Sequence, residues 1–171
     1  MKTSQDSYSV YLVDDDKMFL SSLKNSLTQQ FKSGVEVSTF TSGEDCLNKM
    51  EDRPDIVILD YYLNDDQHPQ ALNGLDILKK IKEDSEDSTV IMLSGQDKLQ
   101  IALDSIKSGA FEYIAKSEST LVRIQNVIKN VIAKTKEARE NKIYQKWNII
   151  MAVTIFAVIV FDVIYYYAGH Y

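Results

Sequence analysis

Five short runs of β-branched and apolar residues punctuate the N-terminal part of the chain: YSVYLV (8–13), VEVSTF (35–40), DIVILD (55–60), TVIMLS (89–94) and FEYIA (111–115). Between them the apolar spacing becomes helical. Phe19, Leu23 and Leu27 stripe a first helix, and TSGE at Thr41–Glu44 has the capping-box spacing that opens a second. Leu75, Leu78 and Ile81 stripe a third. Leu99, Leu103 and Ile106 stripe a fourth, which stops at Gly109, and Leu121, Ile124, Ile128 and Val131 a fifth. Strands that are apolar throughout and alternate with helices predict an α/β fold, a doubly wound parallel sheet of five strands covered on both faces. Such sheets bind ligands at the carboxyl ends of their strands, beside the switch point in strand order.

The residues at those exits are chemically pointed. The first strand leaves into Asp14, Asp15 and Asp16; the third ends on Asp60, the fourth on Ser94-Gly95 and the fifth on Ala115-Lys116. Carboxylates gathered at one edge repel, and a hard divalent cation with oxygen ligands relieves the repulsion. Mg²⁺ fits, because it takes one or two carboxylates and keeps water and phosphate oxygens. An ammonium and a hydroxyl alongside suit the other oxygens of a phosphoryl group. Nucleophile, metal and charge clamps are the parts of phosphoryl transfer to a carboxylate. Each feature alone is ordinary: an aspartate run is usually a solvated turn. Their joint occurrence at four strand exits carries the reading.

VDDD (13–16), PDIVILD (54–60), NGLDILKKIK (73–82), VIMLSG (90–95) and SGAFEYIAKS (108–117) resemble the receiver domains of two-component response regulators, from about Tyr8 to about Lys134. The resemblance implies a flavodoxin-like strand order, 2-1-3-4-5. It makes Asp60 the phosphoryl acceptor, supplied by a histidine kinase or phosphotransfer protein. Asp14 and Asp15 fall on the acidic pair that binds Mg²⁺, with Asp60 and the main-chain carbonyl of Tyr62 as further ligands. Lys116 pairs with the phosphoryl group; Ser94 hydrogen-bonds to it and couples it to Tyr113, a two-state switch biased by the new charge. Gly95 leaves access for a phosphodonor. Such a domain is a phosphoacceptor that assists its own phosphorylation and dephosphorylation, not a turnover enzyme.

The chain departs from the family pattern in places. Ser117 follows Lys116 where the family usually has proline, often through a cis peptide; without proline a cis bond costs about 3–4 kcal/mol. The loop after Asp60 is long, and its Asp65, Asp66 and His68 read as a solvated surface rather than a second metal site. By the resemblance, Tyr62 and Gln96 occupy the variable positions that tune loss of the phosphoryl group. A haloacid-dehalogenase-like phosphatase would need another acidic pair after Lys116. A receiver-like adaptor that takes no phosphate stays open.

Charge divides the chain. Net charge is −6 overall, yet residues 129–171 carry six bases against Glu137, Glu140 and Asp162, a net +3, which leaves −9 for the first 128. An acidic domain is a poor grip for a phosphate backbone, so no nucleic-acid partner is expected. The single cysteine, Cys46, excludes an internal disulfide scaffold and reads as an inert packed thiol.

From Trp147 the sequence runs WNIIMAVTIFAVIVFDVIYYYAGHY, apolar on all sides rather than striped, and Trp147 to Ala168 is long enough to cross a hydrocarbon core. Trp147 and Tyr165–Tyr167 stand where interfacial aromatics would. Asp162 opposes insertion by roughly 2.5–3.5 kcal/mol; the Ile, Val and Phe residues between 149 and 164 favour it by roughly 3–7, so insertion wins. All six bases precede the span, which puts the N-terminal side in the cytoplasm. The expected organisation is a receiver at 1–128, a basic helical linker at 129–146, a transmembrane helix at 147–168 and a short tail at 169–171. The expectation is thus a single-pass protein of the cell membrane with its receiver cytoplasmic, no signal peptide, no DNA-binding output domain and a protein partner downstream.

Overall fold

A computed structural model describes residues 7–63, 72–95 and 98–168, with backbone alone at 138–142 and 161–168. Five strands form one parallel sheet: β1 (Tyr8–Val13), β2 (Val35–Phe40), β3 (Ile56–Asp60), β4 (Thr89–Ser94) and β5 (Glu112–Ala115), in the order β2-β1-β3-β4-β5. This is the doubly wound architecture that the alternating pattern predicts. The helices are α1 (Lys17–Phe31), α2 (Gly43–Leu47), α3 (Gly74–Asp84), α4 (Leu99–Lys107) and α5 (Thr120–Ala168).

Successive strand residues face opposite sides of the sheet. Tyr11, Val13, Val57, Leu59, Val90 and Met92 face one side and form a core with Cys46 and Met50 and with Ile77, Leu78 and Ile81 of α3. The intervening Val10, Leu12, Ile56, Ile58, Ile91, Leu93 and Ile114 are equally buried. So are Leu20, Leu23 and Leu27 of α1 and Ile124 and Ile128 of α5, and Gln125 Nε2 of α5 donates to Ser26 Oγ of α1 at 2.8 Å. Every residue of β3 is buried, the condition for a central strand of a covered parallel sheet.

Three local expectations need correction. The second helix is capped by Ser42, whose hydroxyl accepts from the Asp45 N–H, rather than by Thr41; Glu44 instead accepts from the Leu72 N–H and so ties α2 to the chain entering α3. In α1 the buried row starts at Leu20, and Phe19 is only half-buried. In α4 the stripe faces outward: Leu99 is 74% exposed, with Leu103 and Ile106 also exposed, while Ile101 and Ser105 are buried. Periodicity shows which residues share a helix face but not whether anything covers it.

The chain separates into two compact units, Met1–Lys129 and Asn130–Tyr171. The second is helical to Ala168 and contains Ile143–Val160, 18 residues of mean hydropathy 1.6, none of them buried. Trp147 is exposed. The side chains of Asp162 and Tyr165–Tyr167, like the loop residues Asp65, Asp66 and His68 and residue Gln96, lie outside the described residues.

Candidate functional site

Because β1 and β3 are neighbours in the sheet, with Val13 opposite Leu59, the aspartates following β1 stand beside Asp60 at the end of β3. This is the switch point of the 2-1-3-4-5 order, where the connections from β1 and β3 leave toward opposite faces. Next along the edge come Ser94, paired with Ala115, and Lys116. Carboxylate oxygens of Asp14, Asp15 and Asp60 lie within 4.8 Å of one another.

The three consecutive aspartates do three different things. Asp14 is buried and its Oδ1 accepts from the Asp16 N–H at 3.0 Å. Asp15 is exposed on the same cluster. Asp16 is the N-cap of α1, its Oδ1 accepting from the N–H groups of Met18 and Phe19 at 2.8 and 3.0 Å.

Lys116 links the pieces. Its Nζ lies 2.7 Å from Asp14 Oδ2 and 2.9 Å from Asp60 Oδ1, and 4.9 Å from the centre of the Phe19 ring. The approach to Asp60 is an ion pair off good hydrogen-bond geometry, so Oδ1 has no hydrogen-bond donor among the described residues although it is fully buried. The other oxygen, Oδ2, accepts from the Tyr62 N–H at 3.1 Å. A buried carboxylate whose Oδ1 is met only by the Lys116 ion pair, beside two more carboxylates, is a donor set of the kind that suits a hard cation.

Burial pushes the Asp60 carboxyl up to about 6; Lys116 pulls it down, and Asp14 and Asp15 push it up further. Asp14 is also raised, by burial first, against the lowering effects of Lys116 and the Asp16 N–H. Burial would lower the Lys116 ammonium, but its hydrogen bond to Asp14 and its attraction to both the Asp14 and Asp60 carboxylates outweigh that and raise it. The site is therefore a short ion-pair network with more carboxylate than ammonium.

Ser94 is fully buried at the end of β4, and its carbonyl accepts from the Lys116 N–H at 2.7 Å. Tyr113, on β5 opposite Met92, is half-buried and packs against the α3-side core. Gly95 is exposed, and a Cβ there would meet nothing within 4 Å. The Tyr62 ring is partly exposed and stands edge-on to Tyr61, 4.8 Å between centroids.

Two positions carry more of the site than the sequence pattern indicated. A Cβ on Gly74 would stand 2.2 Å from the Asp60 carbonyl oxygen and 2.6 Å from Tyr61 Cα, so only glycine lets α3 start against the backbone of Asp60 and Tyr61. Its N–H donates to the Tyr61 carbonyl at 2.9 Å. The NGLD motif contains that glycine without showing what it approaches. Phe19, spaced like a core residue, offers its ring to Lys116 instead.

A five-stranded 2-1-3-4-5 sheet with an acidic switch point and a lysine directly after the fifth strand defines a receiver-type α/β domain. The family model for the response regulator receiver domain matches residues 10–129, and the chain belongs to that family. It is similar to the transcriptional regulatory protein CssR of Bacillus subtilis, 29% identical over 141 residues that cover 80% of this chain and 58% of the relative. It is also similar to the transcriptional regulatory protein PrrA of Mycobacterium leprae, 32% identical over 117 residues, 68% of this chain and 46% of the relative. The chain thus spans about half the length of these relatives. Among solved structures it resembles the BeF3-activated receiver domain of DrrB, a Thermotoga maritima protein, at 28% identity and TM-score 0.63, covering 74% of this chain and 98% of that one. A CheY-like receiver of Methanospirillum hungatei, 24% identical with TM-score 0.65 over 77% of this chain and 98% of that one, shares the fold. Response regulators receive phosphoryl groups from histidine kinases, and receiver domains bind Mg²⁺ in an acidic pocket, here the Asp14, Asp15 and Asp60 cluster.

Proposed function

We propose that this chain is a membrane-tethered response regulator receiver that takes a phosphoryl group on Asp60 and changes the protein-binding state of its surface. The observation that carries the reading is the Lys116 ammonium between Asp14 and Asp60, at 2.7 and 2.9 Å. In the transfer, an Asp60 carboxylate oxygen attacks phosphorus while the P–N bond to a donor histidine breaks, and the departing imidazole keeps its electron pair and takes a proton. Lys116 follows the charge from the carboxylate to the phosphoryl oxygens. The Ser94 hydroxyl takes another of those oxygens, and Tyr113 repacks in response. Asp14, Asp15, Asp60 and the Tyr62 carbonyl would hold Mg²⁺, whose chemistry there is to neutralise charge on the phosphoryl group. No turnover of a separate substrate belongs to this reading.

Incubation of the full chain with Mg²⁺ and acetyl phosphate, read by intact mass, tests it. An adduct in the wild type that is missing in Asp60→Asn supports the acceptor assignment; a wild type inert to every donor points to an adaptor that takes no phosphate.

The tether rests on Ile143–Val160, an exposed apolar helix of spanning length, and on the bases that precede Trp147, which favour a cytoplasmic receiver. Alkaline carbonate extraction of membranes should leave the full chain in the pellet and release a version ending at Lys146. If both versions extract, the tether is wrong.

A further inference from the structure

We infer that Thr120 is a positioning residue for Lys116, its buried hydroxyl holding the peptides on either side of the lysine. The inference rests on the reading of Lys116 as the clamp on the phosphoryl group. Lys116 lies between the last residue of β5, Ala115, and the first of α5, Thr120, where no strand ladder or helix holds the chain. Its own N–H is tied to Ser94 O at 2.7 Å. The next N–H, that of Ser117, donates to Thr120 Oγ1 at 2.6 Å. The same hydroxyl points its proton at Ala115 O, 3.5 Å away, and the Thr120 N–H closes the turn on Ser117 O at 3.1 Å.

Burial sets this hydroxyl apart. Ser117, Glu118 and Ser119 are all exposed, yet Thr120 is only 2% exposed. Both capacities of one buried hydroxyl are therefore directed at the peptides flanking a single residue. That fixes the backbone from which a long, four-torsion side chain must place its tip against two buried carboxylates. Ser117, as a residue other than proline, has an N–H to offer. A proline in its place would have none. Thr120 reaches the phosphoryl chemistry only through Lys116, and a small backbone rotation at 116 is magnified at the ammonium.

The test compares Thr120→Val, Thr120→Ser, Ser117→Pro and the Ser117→Pro/Thr120→Val pair in the full chain in mild detergent. Two quantities are read: the rate of adduct formation from acetyl phosphate with saturating Mg²⁺, and the ¹⁵Nζ resonance of Lys116, whose protons are shielded from exchange by its carboxylate partners. Thr120→Val should slow adduct formation roughly 10- to 100-fold and lose the Lys116 resonance while the rest of the spectrum stays folded. Thr120→Ser should restore both. In the Ser117→Pro background, where the donor is gone, adding Thr120→Val should change the rate less than about twofold. A wild-type rate and resonance in Thr120→Val overturns the inference. So does a serine variant as impaired as the valine, or a valine effect undiminished by Ser117→Pro. If the wild type forms no adduct, the phosphoacceptor reading has failed, and the ammonium resonance still decides whether Thr120 positions Lys116.

Discussion

Removing the charge of Asp60 should stabilise the metal-free protein, although it deletes half of a buried ion-pair network. The carboxyl titrates near 6 in the folded chain against an ordinary 3.8. The native state therefore holds the Asp60 proton more tightly than the unfolded chain does. On this account stability is greatest while Asp60 is protonated, falls as pH rises from about 4 to about 6, and is level above that. At 1.36 kcal/mol per pH unit, the ionised group costs about 3 kcal/mol at pH 7. Lys116 is already included in that figure, since its attraction lowers the Asp60 value without cancelling the effect of burial. Asparagine has nearly the same shape and no charge. Asp60→Asn should thus gain up to about 3 kcal/mol at pH 7.5 in EDTA, and almost nothing at pH 4. With a denaturant slope of about 1–3 kcal/mol per molar, the urea midpoint moves up by roughly 1–3 M. Pulse proteolysis of the full chain in mild detergent reads the receiver unit, through survival of its fragment. Millimolar Mg²⁺ should then raise the wild type and leave the asparagine variant nearly unmoved, because the cation replaces the missing charge balance only where the charge exists. Asp14 is also raised and adds its own pH dependence, but to both proteins. An asparagine variant less stable than wild type in EDTA at pH 7.5, or a difference that is flat from pH 4.5 to 7.5, would refute the electrostatic account of the site.

Gly74→Ala should cost about 1–3 kcal/mol and reduce phosphorylation, because the new methyl forces the Asp60–Tyr61 backbone away from α3; a wild-type urea midpoint together with a wild-type adduct would contradict the close approach. Asp16→Ala should lose about 1 kcal/mol as a missing cap while Mg²⁺ affinity, read by titration, stays within about twofold, whereas Asp15→Asn should weaken Mg²⁺ with little change in stability. The Cys46 thiol is fully buried and pushed up to about 12 by that burial, so at pH 8 a thiol reagent should label it only after denaturant is added. Ser88→Ala should cost about 1–3 kcal/mol, since the buried hydroxyl donates to Pro54 O at 2.7 Å and its loss leaves that carbonyl short of a partner.

The strand-helix alternation was sufficient for the fold because every strand of a covered parallel sheet must be apolar, and that requirement is written locally. The same holds for the chemistry at the strand exits. Asp14, Asp60, Ser94 and Lys116 end or follow their strands in the one-dimensional chain, and a parallel sheet necessarily carries all those ends to one edge. The long apolar run after Trp147 is likewise a property of composition alone.

What depended on tertiary structure is whatever turns on which surface covers which. The α4 stripe of Leu99, Leu103 and Ile106 has the spacing of a core face and faces outward, because spacing records only that residues share a side. Ser42 rather than Thr41 caps α2, and Glu44 accepts instead from the Leu72 N–H, a partner 28 residues distant. The triple aspartate divides into a buried carboxylate, an exposed carboxylate and a helix cap only when β1 ends and α1 turns away. Gly74 against Asp60, and the lysine seated between Asp14 and Asp60, join residues far apart in the chain. Local pattern encodes what a residue can do; distance, burial and the company of other charges decide what it does, and those exist only once the sheet has closed.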